Sequence, residues 1–155
     1  MTPGVAAGAK LTAACPLLTA SEVEQVLGGG KSTTQVTATE GKPDTSQADK
    51  LFECDYGAAG SSAAAPFTLS LGNITESGFS ASDAIAAFVK QAKAKPQVVS
   101  GLGQDAAYFP LPTGDAMLAL AKRSHGELRT ATFEAPTVVP EAKLAQLMAL
   151  VAERL

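Results

Sequence analysis

Two rhythms of apolar residues alternate along this chain. In "LFECDY", residues 51–56, Phe52, Cys54 and Tyr56 point one way and Leu51, Glu53 and Asp55 the other. A period of two is that of a half-buried strand. "PFTLSL" repeats it, with Phe67, Leu69 and Leu71 inward. "TTQVTA", residues 33–38, has strand composition. Farther on, "QVVS", "DAAYF", "DAMLALAK" and "GELRTATFE" carry strand signals again. The last two flank "RSHG", a turn ending in glycine, and so predict a hairpin. The polar "EGKPDTSQAD" and the Ala/Ser/Gly stretch at 57–65 read as the loops between the earlier strands.

The second rhythm is helical. Thr19 and Glu22 form a capping box, with Leu18 and Val23 placed for a hydrophobic staple. Val23, Val26 and Leu27 then make one apolar face, and Gly28 stops the helix. A second helix begins near Ser80 or Ser82, where Ile85, Phe88, Val89 and Ala92 fall at i, i+3, i+4 and i+7. Lys90, Lys93 and Lys95 suit the negative end of its dipole, and Pro96 ends it. Beyond the breaks at Pro136 and Pro140, Leu144, Leu147, Met148, Val151 and Leu155 share one face of a final helix.

The predicted order is α-βββ-α-βββ-α. Hairpin runs separated by helices argue for an α+β domain with an antiparallel sheet of about five to seven strands, not a doubly wound parallel sheet. The helices are expected mainly on one face, and the other face is partly polar through Glu53, Asp55, Thr68 and Ser70. The two halves share an outline, which raises a duplicated unit as a reading. Residues 1–14 lack periodicity and read as a flexible tail, leaving 15–155 as one domain.

Composition narrows the function classes. A chain of 155 residues without tryptophan must build its core from Ala, Val, Leu and six Phe. The net charge of −3, with no basic stripe, makes nucleic acid an unsuitable partner. No apolar run approaches the ~20 residues that span a bilayer. "MTPGVAAGAK" has no signal-peptide apolar region; a mature chain and a cytoplasmic one would look alike here.

The motifs that suggest catalysis fail on context. "VLGGGKSTTQ" ends like a phosphate-binding loop at Gly30-Lys31-Ser32, but Gln25 stands where the first glycine belongs. A helix precedes these glycines, whereas a phosphate cradle opens one. "GLGQDA" has Ala106 in place of the third dinucleotide glycine and leads into a strand, so it reads as a tight turn. His125 is the only histidine and sits at the predicted hairpin tip; no G-x-S-x-G elbow accompanies it. Glu53 and Asp55 could act as paired carboxylates, although a solvated sheet face explains them. Lys122, Arg123 and Arg129 form a basic cluster at the hairpin, a solubilising rim or a contact surface for an acidic partner. No cofactor is called for.

Cys15 and Cys54 are the only cysteines. They fit a disulfide, and so an oxidising compartment, or two buried thiols. A third reading makes Cys15 a lipid-attachment site, with "LTAAC" as a lipobox remnant carrying Thr12 in place of an aliphatic residue. Two Cys and one His are too few for a closed zinc site.

"CPLLTASEVEQVLG", the Cys54-Asp55-Tyr56 triplet and "GLGQDAAYF" together resemble small secreted proteins and lipoproteins of bacteria with high genomic G+C content. The resemblance covers residues 15–155, with Gln104 as a one-residue departure from the Gly-Leu-Gly-Asp-Ala-Ala-Tyr/Phe pattern. It implies an exported domain, soluble or lipid-tethered in its native precursor, with a Cys15–Cys54 bridge. It carries over no catalytic residues.

Three readings of function stand. The first is a non-enzymatic extracytoplasmic module whose partner is an envelope protein or component, with Glu53, Asp55, Lys122, Arg123 and Arg129 as candidate contacts. The second is a small-ligand carrier with a cleft between sheet and helices. The third is an enzyme with an unrecognised site.

Overall fold

The computed structural model describes residues 13–27, 36–41, 50–58, 67–74, 78, 80–103, 105–124, 127–137 and 139–155. Its first two α-helices begin where the sequence places caps. A single 3-10 turn, Cys15–Leu17, leads into α1, Ala20–Leu27. The Thr19 hydroxyl accepts from the Glu22 N–H (3.2 Å), and the Glu22 carboxylate accepts from the Thr19 N–H (2.9 Å). Ser80 and Asp83 make the same reciprocal box at the head of α2, Ala81–Ala92. α3, Glu141–Arg154, starts after Pro140 and buries Leu144, Leu147, Met148 and Val151. Gly28 and the rest of the glycine-rich segment before residue 36 lie outside the described residues, as does the loop at 42–49.

Among the described residues seven strands form one antiparallel sheet: β1 (Val36–Glu40), β2 (Lys50–Ala58), β3 (Phe67–Ile74), β4 (Gln97–Val98), β5 (Asp105–Pro110), β6 (Asp115–Ser124) and β7 (Glu127–Pro136). Their spatial order is β1-β2-β3-β7-β6-β5-β4. The second half therefore holds four strands, not three, because Gln97 and Val98 pair with Tyr108 and Ala107. After β3 the chain crosses through α2 to the far edge and returns by meander until β7 closes against β3, with Leu71 opposite Ala131.

Alternation along the strands sorts the core into two layers. On one face Phe52, Cys54, Tyr56, Leu69, Leu118 and Phe133 are buried in the cluster that includes residues of α1 and α3. On the other, Ala107, Phe109, Ala119 and Leu128 pack with Ala84 and Ile85 of α2. The expectation of helices mainly on one face thus holds for α1 and α3 only. Because β5, β6 and β7 carry apolar residues at both odd and even positions, they need cover on both sides, and α2 supplies the second. The split also argues against a duplicated unit. Two meanders meeting at an antiparallel pair are related by rotation about an axis through the sheet, which would put α1 and α2 on the same face. β2 and β3 carry polar residues at the alternate positions, so α2's face of the sheet stays polar there. Leu51 is 47% exposed on it.

Ala14 is buried, and the Glu40 carboxylate accepts from the backbone N–H groups of Ala14 (3.0 Å) and Cys15 (2.8 Å). A polar strand end thereby ties the segment ahead of the first helix to β1.

Candidate functional site

The sequence-predicted residues do not converge on one site. Cys15 and Cys54 are joined by a disulfide across 39 residues, so neither is a free thiol. With its sulfur so used, Cys15 has none left for a lipid thioether. Glu53 and Asp55 lie on the polar part of the sheet, where the Thr68 hydroxyl donates to Asp55 (3.0 Å). Glu134 shares this face opposite Thr68 and Met117. Its carboxyl is raised from its ordinary range, first by burial, then by Asp115 beside it and by Glu53. Among the described residues no three Asp, Glu, His or Cys side chains are grouped so as to hold a metal ion. His125 and Gln104 lie outside the described residues.

The basic cluster is divided. Lys122 donates to the Ala152 carbonyl (3.0 Å) at the end of α3, and Arg123 is exposed. Arg129 is a correction to the expected contact surface, being only 2% exposed. It stands on the same face of β7 as Ala131 and Phe133, beneath the end of α3, and its guanidinium donates to the Leu155 carbonyl (3.0 Å) and to Glu127 (3.4 Å). Lys122 and Arg123 line, with Gly101, Leu102, Gly103 and Glu153, a recess of about 410 Å³ beside α3.

The feature that does converge is a groove of about 550 Å³ between α2 and the β4–β5 edge of the sheet. Helical spacing aligns Ser82, Ala86, Val89, Lys90 and Lys93 along one stripe of α2, and all five line it. Val98 forms the opposite lip and Ala106 and Ala107 the floor. Small residues make the space: alanine stands at 86, 94 and 107, where longer side chains would fill it. Val98 is 76% exposed, an apolar side chain left on a two-residue edge strand. The wall's one carboxylate, Asp105, turns back on its own strand and accepts from the Ala106 N–H (3.0 Å).

No family model, no curated protein and no solved structure matches this chain. The reading therefore rests on the groove itself.

Sequence reasoning placed α2's core face through Ile85, Phe88, Val89 and Ala92 but missed the groove stripe beside it. Lys90 and Lys93 read as dipole partners, and alanines carry no signal of their own. What could have pointed to the groove is Val98, an apolar residue between Pro96 and the "SGLG" turn in a segment too short to be buried.

Proposed function

We propose that the protein is a non-enzymatic extracytoplasmic binding module whose binding surface is the groove along α2. The observation that carries this is the groove's apolar wall. Ligand sites are concave, mostly apolar and of several hundred Å³, with a few polar groups at fixed places, and the α2 groove has that composition. Its titratable groups are two lysines at the rim and a carboxylate tied to the backbone, an arrangement suited to holding a ligand more than to moving protons. The Cys15–Cys54 bridge supports placement in an oxidising compartment, where disulfides form and persist. The motif resemblance to exported bacterial proteins points the same way. Among the described residues no helix is long and apolar enough to cross a membrane.

The test is expression of the full-length gene in its own host, followed by fractionation and native mass spectrometry without reductant. The expected result is an envelope or secreted protein lighter by two hydrogens than its reduced form, carrying a bound mass that Ala86→Phe removes. Recovery from the cytosol with two free thiols would overturn the placement. A bound mass unaffected by Ala86→Phe would overturn the groove.

A further inference from the structure

We propose that the groove takes a single-chain anionic amphiphile, a long-chain carboxylate, with its tail along Ile85, Ala86, Val89 and Val98 and its head at Lys90 and Lys93. The inference rests on the groove being the binding surface and adds the chemistry of its occupant.

The shape argues for a linear tail. The stripe from Ser82 to Lys93 runs about 16 Å along the helix axis at the rise of an α-helix. Its middle is apolar or small, and the cations stand at one end only. The groove thus has a polarity along its length that matches a chain with one charged terminus.

The charge argues for an anion. The protein is net acidic, yet the groove is lined by two lysines, Lys90 and Lys93, against one carboxylate, Asp105, which accepts from the Ala106 N–H. Lys90 and Lys93 are three residues apart and so project from the same side of α2. Among the described residues neither has an ion-pair partner. The helix dipole favours a cation in the last turn, and Lys90 meets that preference. Lys93 stands one position beyond the helix at φ 53°, the one non-glycine residue with positive φ among those described. Glycine or asparagine occupies such a cap at least cost. A lysine held there gives the groove a second cationic lining residue at the same end as Lys90. Both side chains are exposed and free to fold over a bound head while their stems lie on apolar surface.

The experiment is calorimetric titration of the intact, oxidised protein with dodecanoate, dodecanol and dodecyltrimethylammonium, each below its micelle concentration. Dodecanoate is expected to bind tightest. Lys90→Gln/Lys93→Gln should weaken dodecanoate about tenfold, the scale of two exposed ion pairs, and leave dodecanol unchanged. Ala86→Phe should abolish binding of both. All three substituted positions are exposed, and circular dichroism verifies that the variants fold. Equal binding of dodecanol and dodecanoate, or a double variant indistinguishable from the parent, would overturn the carboxylate while leaving the groove as the binding surface. Binding that survives Ala86→Phe would overturn both. Failure of all three probes to bind the parent protein would overturn the amphiphile and return the groove to other occupants.

Discussion

Arg154 closes the fold onto Glu22, 132 residues earlier in the chain. Its guanidinium donates through both terminal nitrogens to the two carboxylate oxygens (2.7 and 2.6 Å), and also to the Leu17 carbonyl (2.9 Å). Both side chains are 15% exposed. One carboxylate thus serves the Thr19 cap and the last turn of α3 together, locking the two helices on the same face. Two-pronged arginine pairs of this kind are stronger than single-point surface pairs.

The pair has a pH signature. Hydrogen bonding from Arg154, opposed by burial and aided by Thr19, holds the Glu22 carboxyl at about 2, below its ordinary 4.5. A depressed carboxyl stabilises the fold above its unfolded value and loses that contribution as pH falls toward the folded one. Glu22→Gln is expected to cost roughly 1–3 kcal/mol at pH 7. The difference from the parent should shrink between pH 4.5 and 2. Urea unfolding at pH 7 and pH 3 measures it; a constant difference at both would remove the Arg154 pairing as its cause.

The disulfide should be worth more than any single hydrogen bond. It closes a loop of 39 residues, which in the chain-entropy model stabilises by about 4 kcal/mol. Cys15→Ser/Cys54→Ser, or the parent under reductant, should lose roughly that amount in denaturant titrations. Equal midpoints with and without reductant would show that the bond does not restrain the unfolded chain.

Much of this architecture was legible in the residues, and the reason is local chemistry. Thr19–Glu22 announced α1 because a capping box is made within four residues. The alternation of Phe52, Cys54 and Tyr56 announced β2 because one face of it is buried and the other is not. The placement of α2 was not legible. Which face a helix covers is decided by the crossover from β3 to the far edge, and no residue of α2 records that path. Arg129 misled for a related reason. Beside Lys122 and Arg123 it reads as solvated, and only the arrival of α3 and the Leu155 carbonyl makes its burial tolerable. The groove is the hardest case, being defined by the side chains that Ala86, Ala94 and Ala107 lack.

Tyr56 illustrates a polar group the core depends on. Its ring is fully buried near Phe133, and its hydroxyl donates to the Leu18 carbonyl just before the Thr19 cap. Burial first, then Glu40 and Glu22, raise its ionisation well above the ordinary tyrosine range. The neutral phenol is therefore favoured by the fold, and its contribution is lost as pH rises above the unfolded value. Tyr56→Phe should destabilise by about 1–3 kcal/mol by leaving a buried carbonyl unpaired. It should also flatten the loss of stability above pH ~10. Chemical unfolding at neutral and alkaline pH tests both expectations, and an unchanged alkaline slope would contradict the second.

Glu134 should behave in the opposite sense to Glu22. Its raised carboxyl means that burial, Asp115 and Glu53 disfavour its charge in the folded state. Glu134→Gln is expected to stabilise the protein modestly at pH 7. The advantage should vanish in acid, where the parent carboxyl is protonated both folded and unfolded. Thermal unfolding at pH 7 and pH 3 decides it, and a destabilised variant at pH 7 would mean that the charge is held by a favourable contact.

The "GLG" turn offers a separation of two backbone effects. Gly103 has φ 59°, and a Cβ there would come within 2.8 Å of the Ala121 carbonyl oxygen on β6. Gly101 has φ 83° with nothing within 4 Å of such a Cβ. Gly101→Ala should therefore cost only the left-handed backbone penalty, about 1 kcal/mol. Gly103→Ala adds a backbone clash that β6, paired on both sides, cannot relieve by moving, and should cost roughly 2–4 kcal/mol. For a domain of this size the second variant should melt lower than the first by about 3–10 °C. Equal melting temperatures would mean that the turn shifts away from β6 at no cost, and that Gly103 is kept for its dihedral angles alone.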